Sequence, residues 1–178
     1  YDINRGDRIA QLVLLDVEVV WIKPGSSMAS HKAVIDIGAE LGAKNVLCVS
    51  SDPDMGVTAA ALAELCRHAE ASAMRVALEF GIFTEVKNVS MALEVLEQVA
   101  NPLAALLIDP IHVDRSGTTV RELASVAREL LPYAQFCDAP AKRPDKDNFA
   151  EIITDAIDMR EQCGEGGEGQ FIFDEAGK

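Results

Sequence analysis

The sequence is poor in the residues that build disulfide frameworks and nucleic-acid surfaces. Its four cysteines lie far apart and form no CxxC pair, which argues against a disulfide framework or a zinc knuckle and favours the reducing cytosol. Its 16 basic residues are outnumbered by 29 acidic ones, which gives a formal net charge of -13. Because a field of this sign repels polyanions, we expect neither a nucleic acid nor an anionic membrane as a partner.

Long hydrophobic runs and targeting signals are also missing from the sequence. No apolar run approaches the ~20 residues that a membrane span needs, and no signal-peptide pattern is present. The composition is otherwise ordinary, with 49% hydrophobic and 25% charged residues among 178. We therefore expect a cytoplasmic protein whose residues 1–178 form a single globular domain with a sizeable core.

Short apolar runs alternate with helical patterns along the chain. The runs are rich in Val, Ile and Leu, which is typical of strands that are covered on both faces. The predicted strands are Leu12–Ile22, Asn45–Ser51, Arg75–Phe83, Ala104–Pro110 and Tyr133–Pro140. The predicted helices are Met28–Leu41, Thr58–Met74, Val89–Val99, Val120–Leu131 and Phe149–Gln162.

The predicted strands recur about every 30 residues, which is the length of one β/α unit. This repeat predicts a parallel α/β sheet with right-handed crossovers, and both a doubly wound open sheet and a (β/α)8 TIM barrel fit it. Five units do not close an eight-stranded barrel, so a barrel would have two open sheet edges. Because unpaired sheet edges can pair with other chains, a homo-oligomer is a possible assembly that the sequence leaves undecided.

Polar side chains interrupt the predicted strands near their carboxyl ends, where parallel α/β folds bind ligands. Glu79 and Asp109 stand on adjacent strands at matching depth. A carboxylate there is costly unless it is paired, solvated or bound to a cation, so this pair predicts a metal site. Oxygen ligands favour Mn²⁺ or Mg²⁺, and a neighbouring imidazole would allow Co²⁺ or Zn²⁺. Further polar residues in the strands are Asp16, Glu18, Gln135 and Asp138.

Other side chains near the strand ends are candidates for substrate contacts. Arg115 suits a substrate carboxylate or phosphate, and it equally suits a solvated loop. Trp21 and Lys23 lie at the end of the first predicted strand and are candidates for the pocket wall, although Trp21 also suits simple packing. A small basic cluster follows the fifth strand and fits either a phosphate or a solvated loop; it consists of Lys142, Arg143 and Lys146.

Several stretches, in the same order along the chain, resemble the xylose-isomerase-like TIM-barrel family of sugar phosphate isomerases and epimerases. They are VALEF (Val76–Phe80), IDPIHVDRSGTT (Ile108–Thr119), YAQFCDAPAKRP (Tyr133–Pro144), GEGQF (Gly167–Phe171), LDVEVVWIKP (Leu15–Pro24) and ELGAKNVLCVSSDP (Glu40–Pro53). The resemblance covers nearly the whole chain. It implies an incomplete (β/α)8 barrel in which about strands 3 to 7 are present, whereas the first two strands and strand 8 are missing.

The resemblance also implies a ligand set and catalytic residues. Members of the family bind one divalent metal ion, and its ligands fall here on Glu79, Asp109 and Gln135, while the eighth-strand Glu would lie beyond Lys178. A His three residues after the metal Asp contacts substrate oxygens in the family, and His112 has that position. A second Glu, six residues after the metal Glu, moves protons in the epimerases; Glu85 has that spacing, although it also suits the first turn of a helix.

The implied reaction is proton transfer next to a carbonyl, through an enediolate, on a sugar, sugar phosphate or related polyol or keto acid. Glu79, Glu85 and His112 would be its catalytic residues. A lyase of the dehydroshikimate- or inosose-dehydratase type stays open, and so does an inactive truncated chain. The related apurinic endonucleases need three zinc ions with several His ligands, and a chain with three histidines and a charge of -13 argues against that activity.

Overall fold

The computed structural model describes residues 19–137 and 139–158. Four parallel strands lie side by side in the order of the sequence. They are β1 (Val20–Ile22), β2 (Asn45–Ser50), β3 (Arg75–Glu79) and β4 (Ala104–Leu107). Beyond β4, Ala134 forms an isolated parallel bridge with Ile108. Consecutive strands therefore remain neighbours throughout the described sheet, as in the wall of a barrel, whereas a doubly wound sheet reverses its order at a switch point.

Helices connect the strands, and most begin at a side-chain cap. They are α1 (Met28–Glu40), α2 (Met55–Ala69), α3 (Val89–Val99), α4 (Pro110–Ser116), α5 (Val120–Ala124) and α6 (Phe149–Asp158). The side chains of Ser27, Asp54 and Asn88 accept hydrogen bonds from the first free amides of α1, α2 and α3. None of the described helices is long and apolar enough to cross a membrane.

The two faces of the sheet carry different side chains because successive residues of a strand point to opposite sides. Val76, Leu78 and Leu106 belong to the large core between the sheet and the helices. Ala77, Ala105 and Leu107 form a separate, smaller cluster. We call the face that carries this smaller cluster the inner face, because it lies opposite the helix layer.

The structure confirms the parallel α/β class and most of the predicted elements, and it corrects the bounds of several: for example, β3 ends at Glu79 rather than Phe83, and α2 spans Met55–Ala69 rather than Thr58–Met74. Of the fifth strand, predicted over Tyr133–Pro140, the described residues 133–137 and 139–140 form only the single bridge at Ala134. The prolines at 132 and 140 cannot extend a ladder at either end because proline donates no backbone hydrogen bond. The helix predicted over Val120–Leu131 ends at Ala124 and is followed by a 3-10 turn. Ser125 Oγ donates to the carbonyl of Glu122 at 2.6 Å and thereby competes with the helical ladder.

The helix α4 was not predicted, although its signals are present in the sequence. Asp109 caps its first turn, a proline follows in the first helical turn, and Gly117 ends it with a φ of 71°. Of the strand predicted over Leu12–Ile22, residues 12–18 lie outside the described residues.

Candidate metal centre

Strands β3 and β4 bring two carboxylates to the inner face. Glu79 lies two residues after Ala77, and Asp109 lies two residues after Leu107, so alternation places both side chains with the inner cluster. Glu79 is 5% exposed and Asp109 is 1% exposed. Two acidic side chains therefore meet in a buried position at the carboxyl ends of neighbouring strands, as the sequence predicts.

The first turn of α4 adds an imidazole to the two carboxylates. Three residues after Asp109, His112 Nε2 lies 3.8 Å from Asp109 Oδ2 and 3.9 Å from Glu79 Oε1. One ligand atom from each of the three residues lies within 4.8 Å of the other two. Ligand atoms that share an ion at about 2.1 Å lie about 3 to 4 Å apart, so the donor set and its spacing fit one divalent cation. His112 was predicted to contact substrate, and the structure also places it among the possible metal ligands.

Gln135, the third predicted metal ligand, lies beside Asp109 in the register of the sheet. Its backbone N–H donates to the carbonyl of Ile108 at 2.9 Å, next to the Ala134 bridge. The role of its side chain as a ligand remains a prediction. The polar residues Asp16, Glu18 and Asp138 lie outside the described residues.

Cys137 orients one of the two carboxylates, a contact that the sequence did not reveal. Its Sγ donates to Asp109 Oδ1 at 3.2 Å, and the backbone N–H of Ile111 donates to the same oxygen at 3.2 Å. The other carboxylate oxygen of Asp109, Oδ2, is the one that approaches His112. Because two donors fix Oδ1, the direction of Oδ2 is set by the protein, as expected for groups that surround a metal ligand.

Tyr133 is a second neighbour of the site that sequence reasoning missed. It packs against the inner cluster of Ala77, Ala105 and Leu107. Burial, together with the negative charge of Glu79, raises the pKa of Tyr133 to about 12. Its phenol is therefore protonated at neutral pH and adds no third negative charge to the pair of carboxylates.

A row of ring contacts extends from His112 towards β1. The Phe83 ring lies 4.9 Å from the imidazole of His112, and Trp21 meets Phe83 edge-on at 6.2 Å. Lys23 Nζ lies 4.0 Å from the centroid of the Trp21 ring. A Cβ on Gly81 would approach the Phe83 ring to 2.4 Å, so the close packing of this ring requires glycine. The predicted wall residues Trp21 and Lys23 are thus linked to the site through Phe83, and their contact with substrate remains a prediction.

Glu85 lies in the loop before α3, so its alternative assignment to the first turn of a helix is wrong. Helix α3 begins at Val89 and is capped by Asn88. The backbone N–H of Glu85 donates to the carbonyl of Ser50, the last residue of β2, at 3.0 Å. Its carboxylate is 44% exposed and lies 3.6 Å from Lys87 Nζ. Glu85 is therefore at the carboxyl end of the sheet, and its role in proton transfer remains a prediction.

Arg115 is held by a buried ion-pair network. Its Nε and Nη2 donate to the two carboxylate oxygens of Asp155 at 2.8 and 3.0 Å, and its Nη1 donates to Asp114 Oδ2 at 2.6 Å. Burial lowers the pKa of the guanidinium, but the bonds to Asp155 and Asp114 outweigh it and raise this pKa above its usual value. These contacts tie α4 to α6, and the predicted contact of Arg115 with substrate remains a prediction.

Comparisons with known proteins identify the fold. No family model and no curated protein matches the sequence. A xylose isomerase domain containing protein from Salmonella typhimurium LT2 superposes with a TM-score of 0.65 at 13% identity, over 83% of this chain and 54% of that one. The IolI protein with a bound zinc atom gives a TM-score of 0.65 at 20% identity, over 78% and 50%.

A D-psicose 3-epimerase from Clostridium cellulolyticum H10, solved with D-tagatose, gives a TM-score of 0.56 at 13% identity, over 82% of this chain and 60% of that one. The chain thus spans between half and three fifths of the length of these three proteins. At these identities the likeness establishes the fold. The predicted architecture is confirmed: this chain has the fold of part of a xylose isomerase-like TIM barrel.

Proposed function

We propose that the chain is part of a divalent-metal-dependent isomerase or epimerase that acts on a sugar, a sugar phosphate or a related polyol or keto acid. One observation carries the proposal, namely the buried group of Glu79, Asp109 and His112 at the carboxyl ends of adjacent parallel strands. Two carboxylates in a buried site repel each other, and a bound cation offsets that repulsion. The zinc atom in the IolI structure and the D-tagatose in the epimerase structure support this assignment.

Glu79 and Asp109 would hold the ion, with Gln135 as a further oxygen ligand. When bound, the ion would polarise a substrate carbonyl and stabilise negative charge that develops on its oxygen. Oxygen ligands favour Mn²⁺ or Mg²⁺, and the proximity of His112 also admits Co²⁺ or Zn²⁺. Cys137 and the amide of Ile111 keep Asp109 oriented for this task.

The remaining side chains of the site would position the substrate and move its proton. His112 would donate to substrate oxygens, and the ring of Phe83 restrains the imidazole on one side. Glu85 would remove a proton next to the carbonyl and return it, because its carboxylate is half-exposed at the end of the sheet. Trp21 and Lys23 would form the outer wall. It remains a prediction that the substrate is a small carbohydrate and that the protein is cytoplasmic.

The carboxylate pair can be tested by calorimetric titration with Mn²⁺. We expect saturable binding by the chain and no measurable binding by the double variant Glu79→Gln/Asp109→Asn. The matched control is Glu94→Gln/Glu97→Gln, which removes two negative charges from the exposed side of α3. An absence of binding by the folded chain, or an equal loss in the control variant, would refute the metal site.

The reaction can be tested separately by incubating the Mn²⁺-loaded chain with keto- and aldo-sugars in deuterated water. An isomerase or epimerase incorporates solvent deuterium at the carbon next to the carbonyl, and Glu85→Gln should abolish this exchange while leaving Mn²⁺ binding intact. Loss of water from the substrate would instead identify the lyase alternative. If the metal-loaded chain exchanges no proton with any sugar, the result would support the alternative that this chain alone is inactive.

A further inference from the structure

A cavity of about 400 Å³ with a basic lining lies in part on the segments that carry the metal centre. Lys87 lies in the β3–α3 loop, which also contains Glu85, and Arg115 lies in α4 one turn after His112. Arg143 and Lys146 come from the segment before α6. The cavity therefore shares α4 and the loop after β3 with the region of the candidate metal site, and the segment before α6 completes it with other side chains.

One carboxylate fixes the two guanidinium groups of this cavity. Asp114 accepts from Arg115 through Oδ2 at 2.6 Å and from Arg143 through Oδ1 at 2.9 Å. Arg115 is in turn anchored to Asp155, and its Nη2 also donates to the carbonyl of Pro140 at 2.9 Å. The exposed side chain of Arg143 is thereby tethered at the cavity.

The charged side chains of the described residues that line the cavity are all basic, although the whole chain carries -13. The four basic groups of the lining are Lys87, Arg115, Arg143 and Lys146. The carboxylates that pair with them are those of Glu85, Asp114 and Asp155. Within residues 19–137 and 139–158, no carboxylate lies within 4.0 Å of the ammonium group of Lys146. Among the residues that the structure describes, the lining itself thus contains four basic side chains and no acidic one.

We propose that this cavity binds the phosphate group of a phosphorylated substrate. Lys87, Arg143 and Lys146 approach it from two separate segments of the chain, and three such donors suit the three terminal oxygens of a phosphate monoester better than the two of a carboxylate. Ile82 and Ile152 line the rest of the cavity and suit the apolar carbons of a sugar. The binding of phosphate stands independently, whereas the assignment to a substrate rests on the function proposed above.

The test is a calorimetric titration with inorganic phosphate, in the presence of a chelator, on the variant Glu79→Gln/Asp109→Asn. That background removes the metal site, so a failed metal assignment leaves this measurement unaffected. We expect saturable binding that Arg143→Ala/Lys146→Ala weakens by about 100-fold, since the loss of each charged hydrogen bond should weaken binding by about tenfold. A sugar monophosphate should bind in the same manner, and the unphosphorylated sugar should not bind.

The matched control is Lys142→Ala, which removes one positive charge from the same segment but not from the lining of this cavity. We expect it to change the phosphate affinity by less than about twofold, the effect of an exposed charge. Three results would overturn the proposal: no saturable phosphate binding by a chain that circular dichroism shows to be folded, an equal loss in Lys142→Ala, or equally tight binding of acetate, which would indicate a carboxylate site.

Discussion

Two buried charged clusters lie at the same end of this fold and are built in opposite ways. In the cluster of Arg115, Asp114 and Asp155, the opposite charges meet at hydrogen-bonding distances of 2.6–3.0 Å. In the cluster of Glu79, Asp109 and His112, two like charges share one imidazole, whose Nε2 lies 3.8 and 3.9 Å from their oxygens. The first cluster balances its charge within the protein once Arg143 is counted, because that side chain donates to the other oxygen of Asp114 at 2.9 Å; such a balance is typical of structural ion pairs. The second has the composition and the spacing of a site that an external cation completes.

The largest effect is expected when Arg115, the buried cation of the first cluster, is removed. Arg115→Met leaves the carboxylate of Asp155 buried without its bidentate partner, and we expect the free energy of unfolding to fall by about 3 kcal/mol. Urea denaturation followed by circular dichroism measures this change. The double variant Arg115→Met/Asp155→Leu should recover most of the loss; a double variant no more stable than the single one would contradict the charge argument.

The second cluster should respond to added metal, whereas the first should not. Saturation with Mn²⁺ at about 100 times the dissociation constant should stabilise the chain by about 2.7 kcal/mol, because the ion binds only the folded state. Thermal unfolding with and without Mn²⁺ measures the effect. The shift should vanish in Glu79→Gln/Asp109→Asn and persist in Arg115→Met, and a shift that survives in the first variant would place the ion elsewhere.

The orientation of Asp109 offers a finer test of the second cluster. Cys137→Ala removes the donor to Asp109 Oδ1 and should weaken Mn²⁺ binding by about tenfold, whereas Cys137→Ser keeps a donor and should retain most of the affinity. Calorimetry on both variants separates the hydrogen bond from the packing of the side chain. Equal affinities in the two variants would show that the contact has no influence on the ion.

The smallest expected effect is on the titration of Tyr133. Burial and Glu79 raise its pKa from 10.0 to about 12, so this phenol contributes stability that is complete below pH 10 and is lost as the pH rises towards 12. Glu79→Gln removes the second cause and should lower the pKa of Tyr133. The pKa is measured from the absorbance of the phenolate, and Tyr133→Phe assigns the signal to this residue. An unchanged pKa in Glu79→Gln would show that the charge of Glu79 does not influence Tyr133.

The parallel α/β class and the carboxylate pair were predictable because both depend on local periodicity, whereas the choice of a barrel over a doubly wound sheet came from the family resemblance. The recurrence of apolar runs and helices gives the parallel order, and the alternation of side chains places Glu79 and Asp109 on one face. The contact of Cys137 with Asp109 joins residues 28 apart, and the pair of Arg115 with Asp155 joins residues 40 apart. Contacts of this kind depend on how the loops at the end of the sheet pack, which no local pattern encodes.

Asp109 serves the chain and the site with different oxygens. Oδ1 accepts the amide of Ile111 and so begins α4, and Oδ2 faces the imidazole that the same helix carries. If the first turn of α4 opened, Asp109 and His112 would therefore separate together. A ligand that binds both residues must stabilise the closed form of that turn. Hydrogen exchange of the Ile111 amide with solvent should therefore slow when the site is occupied, although this amide does not contact the ligand.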